Sequence, residues 1–368
     1  MIILQILVIA LLFTLVVGAH EFGHYLFARW RGMDVEEFAI GFGPRMASRT
    51  DKHGTVWALR AFPLGGFIRT KGMEPKEDGS EVTVPNGFYS KGLISRALVL
   101  IGGPLFSFLF GWLLFFGNAA AYGWENSPYV GTVQPDSPAS VAGIQTGDRL
   151  VSVNGKEIGY FAQFGEEVQE ADGKPLNVVV ERDGSPIPLT VTAEFKASEI
   201  PQDVLASDEY KEDTEAYKKA FAEKRWLVGV MGERTRPVGL VGAVSVANMN
   251  TWRVVSETAK IFAKPERLSK EVGGVIMIGQ AAGEAVNQGL SYFIILSALI
   301  SVSLGIINLI PIPLLDGGQL LVVGIEALRG GRRLSLKTQE ALGFVGILII
   351  AALFLTVTYL DVGRLING

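Results

Sequence analysis

Four stretches of this chain carry no Asp, Glu, Lys or Arg: residues 1–20, 97–124, 285–315 and 341–360. Each is long enough to cross the hydrocarbon core of a bilayer, which takes about 20 residues of helix. Nothing else in the sequence constrains the fold as strongly. In lipid every backbone amide must find its partner inside its own segment, so stretches of this kind are helices. Charged residues are only 19% of the 368, and the mean hydropathy is +0.33. Those values exclude an ordinary soluble enzyme and a disordered chain. There is no cysteine, so a disulfide framework and a thiolate metal site are both excluded, and any metal falls to His, Asp or Glu. The net charge of −4, with no basic block, gives no basis for a nucleic-acid partner. The first stretch lacks a basic n-region and exceeds a typical signal h-region. It reads as a retained span, although Gly18 and Ala19 could imitate a cleavage site.

Lys and Arg near the span ends predict the orientation. Arg29 and Arg31 follow the first span, Lys91 and Arg96 precede the second, and Arg329, Arg332, Arg333 and Lys337 lie between the third and fourth. Placing all of these in the cytoplasm puts both termini, and the long segment 125–284, outside.

The first span ends in His20-Glu21-Phe22-Gly23-His24. Histidines four apart share a helical face, about 40° apart around the axis, and both imidazoles can reach one Zn²⁺ at about 2.0–2.1 Å. Glu21 projects beside them and can take a proton from a water that the ion activates. The plain alternative is a pair of packing histidines. Ionisable residues in or beside a span are costly, however, and usually functional. A catalytic zinc takes three protein ligands, so a third must come from elsewhere in the membrane. The third apolar stretch ends in Asn308-Leu309-Ile310-Pro311-Ile312-Pro313-Leu314-Leu315-Asp316-Gly317-Gly318. Its prolines and glycines break the helix, and broken backbone at membrane depth survives only against protein or a water-filled cavity. Asp316 is the one acid at that break; its bland reading is a helix end with a turn. The first and third spans run in the same direction, so both motifs fall at the same depth. Asn308 could polarise a substrate carbonyl or simply bond a neighbouring helix.

These motifs resemble those of the site-2 proteases, zinc intramembrane proteases, and most closely the bacterial branch that regulates sigma-E. The matching residues are His20–His24 with Tyr25-Leu26-Phe27-Ala28-Arg29, Gly41-Phe42-Gly43-Pro44, Pro63-Leu64-Gly65-Gly66-Phe67, Gly305-Ile306-Ile307-Asn308-Leu309, and Pro311-Ile312-Pro313 with Leu315-Asp316-Gly317-Gly318. They span nearly the whole chain in the family's order. The resemblance implies that His20, His24 and Asp316 bind zinc and that Glu21 is the catalytic acid–base. It also implies that Asn308 helps hold or polarise the scissile peptide. Gly41, Phe42, Gly43, Gly65, Gly66, Pro311 and Pro313 are expected at the substrate. Three features depart from the family: Gln319 where many relatives carry a histidine, Gly274-Val275 in place of a common Gly-Pro-Ile, and one PDZ-like segment where the best-known relatives have two.

The expected fold is a polytopic α-helical membrane protein with four transmembrane helices, a cytoplasmic membrane-associated β-sheet and one extracytoplasmic PDZ-like domain. Its parts are a first span over 1–30, a membrane-reentrant β region over 31–92, a second span over 93–123 and the PDZ-like domain over 125–195. A linker with amphipathic surface helices follows over 196–284, including a solvated helix around 207–225; the third span with its following helix covers 285–328 and the fourth 338–362. Residues 36–72 read as strand and turn, an ordinary hairpin or an exposed edge that holds substrate extended. His53 reads as a turn residue. The PDZ-like domain could bind peptide by strand addition or act as a plug that excludes bulky substrates.

The resemblance implies zinc metalloendopeptidase cleavage of single-span membrane proteins, such as an anti-sigma factor already trimmed outside. The protein is expected as a monomer in the bilayer of a bacterial inner membrane, with its site near the cytoplasmic side. Two other classes compete: a membrane PDZ scaffold without catalysis, and a zinc transporter. A transporter needs further polar groups along a path, and the outer halves of these spans nearly lack them.

Overall fold

The computed structural model describes residues 2–73, 84–197, 224–233, 235–263 and 274–367. It divides into two compact units, residues 1–118 with 244–368, and residues 119–243.

The first unit is built on helices α1 (Ile2–Trp30) and α2 (Leu93–Tyr122) and on a ribbon of two strands, β1 (Val35–Thr50) and β2 (Val56–Thr70). The two strands bend so that each supplies two segments. Residues 35–40 pair with 66–70, residues 45–50 pair with 56–60, and residues 37–40 also lie beside 56–59. The result is a sheet of four segments in the order 66–70, 35–40, 56–60, 45–50. Among the described residues no further strand joins either outer edge. The inner segment is buried at Val35, Glu37, Phe38 and Ala39, while the tip beyond Gly41 is exposed. Glu37 is 2% exposed and accepts hydrogen bonds from Arg45 and Arg60 at 2.7 Å each. Burial alone would raise its carboxyl; the two guanidiniums outweigh that and hold it below the usual range.

The rest of this unit comprises most of α5 (Leu240–Ala263), then α6 (Val275–Gln288), α7 (Leu290–Leu309), α8 (Asp316–Leu328) and α9 (Leu336–Asn367). Among the described residues four helical segments are long and apolar enough to span a membrane: Leu7–Trp30, Leu93–Tyr122, Leu290–Leu309 and Lys337–Gly363. The third begins five residues later than expected, because Gly289 adopts φ 87° and separates α6 from α7. Small residues let α7 approach α2. A side chain at Gly111 would stand 2.5 Å from Val302, and Ser301 Oγ donates to the Ser107 carbonyl at 2.8 Å. Buried Asp361 of α9 accepts the Gly274 and Met277 amides at the start of α6.

The second unit holds β3 (Trp124–Glu125), β4 (Val130–Val133), α3 (Pro138–Ala142), β5 (Arg149–Val153), β6 (Lys156–Glu157), α4 (Phe161–Glu170), β7 (Pro175–Arg182), β8 (Ser185–Thr192) and β9 (Glu194–Ala197). Its main sheet runs β6-β5-β7-β8. Alternation in β7 sends Leu176, Val178 and Val180 into a core shared with Leu150, Val153 and Phe164. Ser137 caps α3 through its hydroxyl, and Gly143 at φ 90° ends it.

Here the structure corrects the expected boundary. Strands β10 (Lys224–Leu227), β11 (Val230–Gly232) and β12 (Thr235–Arg236) return to pair with β9, β4 and β3. The unit therefore extends past 195. The helix expected around 207–225 lies outside the described residues except at its end, where Lys224 and Arg225 are strand.

Candidate metal centre

Helix α1 delivers His20 and His24 one turn apart, and both rings are buried. Asp316 begins α8, just after the Pro-rich turn, and its Oδ2 lies 3.2 Å from His20 Nε2 and 3.3 Å from His24 Nε2. The two Nε2 atoms are 3.3 Å apart. Three donors at those separations stand about 2.0 Å from a common tetrahedral centre, the length of a zinc–imidazole or zinc–carboxylate bond. Asp316 Oδ2 is buried and receives no hydrogen bond. The chemistry of the set fits as well. His24 Nδ1 lies 2.8 Å from the Val99 carbonyl, which can only accept, so the proton sits on Nδ1 and Nε2 keeps its lone pair. His20 Nδ1 is held by Ser107 Oγ at 2.9 Å.

Helix α2 is therefore the back wall of the centre. Val99, Gly103 and Ser107, four apart, share one face of it. A Cβ at Gly103 would overlap His24 Nε2 and stand 2.8 Å from His20 Nε2. Gly23 of α1 and Gly102 of α2 lie backbone against backbone, which brings the histidines up to that wall; a Cβ at Gly102 would stand 2.8 Å from the Gly23 carbonyl. None of these α2 residues was singled out from the sequence. Their signal was a Gly-Gly-Pro followed by a serine inside a span, with the polar residue four places from the second glycine.

The turn before Asp316 is compact. Gly317 and Gly318 have room only for hydrogen, against the Leu309 and Ile312 carbonyls. Leu314 holds φ 83°, a left-handed backbone that costs a side-chain-bearing residue about 1–3 kcal/mol. Farther along α8, buried Glu326 meets buried Arg96 of α2, with Oε2 and Nη2 2.5 Å apart.

Glu21 faces the ribbon: a Cβ at Gly66 would stand 3.6 Å from Glu21 Cγ. Gly66 lies in the outer edge segment. The other expected substrate residues are placed less directly. Gly41 and Gly43, at φ 86° and 83°, form the bend against Phe62, and Gly65, at φ 104°, backs Phe42. Phe42 is 49% exposed and stacks on Phe67. Pro313 lies against α9, its carbonyl filling the notch left by Gly346, and Pro311 is exposed. Asn308 Nδ2 donates to the Leu304 carbonyl of its own helix at 3.0 Å. His53 is exposed, and its amide donates to Asp51 in a turn, as expected.

Known proteins resemble this chain over most of its length. The model of Peptidase family M50 matches residues 8–353. A protein of Mesorhizobium japonicum described as a zinc metalloprotease is 35% identical over 334 residues, covering 85% of this chain and 86% of its own length. The protease RseP of Yersinia pestis is 27% identical over 464 aligned positions, covering 95% and 96%. With a match across nearly its whole length, the chain belongs to Peptidase family M50, the site-2 protease family of zinc-dependent membrane metalloproteases.

Proposed function

We propose that this protein cuts single-span membrane proteins within the bilayer, with His20, His24 and Asp316 as its zinc ligands and Glu21 as its acid–base. The observation that carries the reading is the convergence of three ligand atoms 3.2–3.3 Å apart beside one further carboxylate, among helices apolar enough to span a membrane. When bound, zinc supplies Lewis acidity, bringing the pKa of a water towards about 7 and polarising a carbonyl. Glu21 takes the proton of the attacking water as its oxygen adds to the scissile carbonyl carbon. The same carboxyl returns that proton to the amine nitrogen as the C–N bond breaks. Asn308 spends one amide hydrogen on Leu304 and has a second to give to the developing oxyanion.

A peptide can be attacked only when its carbonyl is exposed, so a helical span must unwind at the site. The outer edge 66–70, which begins beside Glu21, offers main-chain hydrogen bonds to an extended substrate. Gly41, Phe42, Gly43, Gly65, Pro311 and Pro313 shape the ribbon and the turn that bound this edge.

The basic residues at the span ends support an active site near the cytoplasmic face of a bacterial inner membrane, with both termini and the second unit outside. The second unit then acts as a PDZ-like screen for substrates. The resemblance of the motifs to the sigma-E-regulating branch of the site-2 proteases supports an anti-sigma factor, trimmed outside beforehand, as the type of substrate, and release of its cytoplasmic part as the outcome. The protein works as a monomer on this reading.

The test is Glu21→Gln. The variant should keep about one zinc per chain and leave a co-expressed single-span substrate uncut. Full cleavage by Glu21→Gln would refute the role.

A further inference from the structure

Asp316 is presented by the first turn of α8, so the three donors meet only if α8 stands at the right height against α1 and α2. Two kinds of contact bear on that height. Leu320 and Val323 of α8 share an apolar cluster with Ala28 of α1 and with Val99 and Leu100 of α2. Apolar contact is not directional, so it holds helices together while leaving them able to slide. The other contact has direction. Glu326 of α8 is fully buried, Arg96 of α2 is 4% exposed, and Arg96 Nη2 donates to Glu326 Oε2 at 2.5 Å. Both partners are also held from behind. The second carboxylate oxygen of Glu326 accepts the Leu334 amide at 3.3 Å, and Arg96 Cζ lies 5.6 Å from the centre of the Tyr89 ring.

The pair stands where it can gauge the centre. On α2, Arg96, Gly103 and Ser107 fall within about 40° of one another around the axis, with Val99 about 60° to one side. The helix that meets both imidazoles through Val99, Gly103 and Ser107 thus carries Arg96 on the same side. Gly103 and Ser107 lie about 10 and 16 Å along α2 from Arg96, and Glu326 lies about 15 Å along α8 from Asp316. Going from Arg96, α2 approaches the centre; going towards Glu326, α8 leaves it. The two lengths therefore match, and the bond between residues 96 and 326 closes the frame. A slide of α8 by one residue's rise, about 1.5 Å, would take Asp316 Oδ2 out of a set whose donors stand 3.2–3.3 Å apart. A buried ion pair is on average no more stabilising than apolar residues of equal volume. What this one adds is register.

We propose that Arg96 and Glu326 are positioning residues: their bond sets the height of α8 on α2 and so brings the Asp316 carboxylate to the two histidines. The tether rests on the protease reading above and its ligand set.

The experiment uses the full chain in detergent and removes both charges together, so that neither is left buried alone. Arg96→Met/Glu326→Gln does this, and its glutamine can still accept from Leu334; Arg96→Leu/Glu326→Leu is read beside it. Either should melt within a few degrees of wild type or above it. Either should also yield zinc to a chelator about 10–100-fold more readily and cleave a single-span reporter with kcat down about a hundredfold and KM near wild type. A readout free of metal goes with these. The chain has no cysteine, so nitroxides at Ile101→Cys on α2 and Leu321→Cys on α8, both exposed positions, report the height of α8 by pulsed electron paramagnetic resonance. The distance distribution of the metal-free protein should broaden or shift in the uncharged variants. Arg96→Lys, which keeps an ion pair, should retain the wild-type distance and most of the zinc affinity. Wild-type zinc affinity with an unchanged distance in a folded uncharged variant overturns the tether and leaves the protease reading standing. Failure of both uncharged variants to fold does the same, since the pair would then serve the fold as a whole. Zinc-loaded wild type that cuts no reporter overturns the protease reading, and the tether with it.

Discussion

Gly103→Ala tests the metal centre from behind, without replacing a proposed ligand. The added methyl would overlap His24 Nε2 and stand 2.6 Å from His24 Cε1 and 2.8 Å from His20 Nε2. Non-bonded heavy atoms settle at about 3.5–4.0 Å, so each ring must retreat by about 1 Å. The rings cannot do so freely, because Val99 and Ser107 pin their Nδ1 atoms at 2.8 and 2.9 Å. An error of about 1 Å in a reacting group costs about a hundredfold in rate, and the methyl also invades the space where an ion would sit. Alanine favours a helix interior over glycine by about 0.5–1 kcal/mol, so α2 itself should not suffer. The expected result is a chain that still inserts, melts below wild type by what an overpacked site costs, about 1–3 kcal/mol, holds well under one zinc, and cleaves a single-span reporter at least about a hundredfold more slowly. Zinc per chain by elemental mass spectrometry, melting temperature and reporter cleavage, measured on one preparation, decide it. A Gly103→Ala protein with a full zinc complement and cleavage within about twofold of wild type would show that the wall is not where this geometry puts it.

Two further outcomes follow from side chains that touch no substrate. Ser107→Ala removes the partner of His20 Nδ1 and should weaken zinc about 10–100-fold in a chelator competition, with Ser107→Thr restoring most of the loss. In the β1–β2 turn, the Trp57 Nε1–H bond holds the Asp51 carboxyl down to about 2, against a smaller opposing effect of burial, and the His53 and Thr55 amides add to it. A carboxyl lowered on folding contributes stability above its unfolded value near 3.9 and loses it as the pH falls towards about 2. Trp57 fluorescence should therefore report loosening of the turn across that window, and Asp51→Asn should flatten the profile and loosen the turn already at neutral pH.

The proposed ligands were legible because the membrane makes charge expensive. Among so few ionisable residues in the apolar stretches, His20, Glu21, His24 and Asp316 stood out. The prolines and glycines around Asp316 marked a break that only protein could shelter. What escaped was whatever depends on close approach. Gly103 looks like any span glycine until α1 lies against it, and its role is the absence of a methyl. The sheet of four segments was hidden for a related reason: the pairing of 37–40 with both 56–59 and 66–69 is set by two bends, not by any local alternation. The strands that return at 224–236 are two to four residues long and carry too little pattern to be distinguished from linker. Gly289 sits inside a run without Asp, Glu, Lys or Arg, and its positive φ divides that run between two helices.

The order in which the chain is made gives the α1–α2–α8 arrangement one more meaning. Both imidazoles and the helix that seats them emerge early in synthesis, whereas the carboxylate that completes the trio arrives only after the second unit and α7 have followed. A nascent chain can hold an ion by two nitrogens at most, and so has no competent hydrolytic centre. On the ligand set proposed above, the enzyme stays harmless to the membrane that receives it until its third span has been threaded.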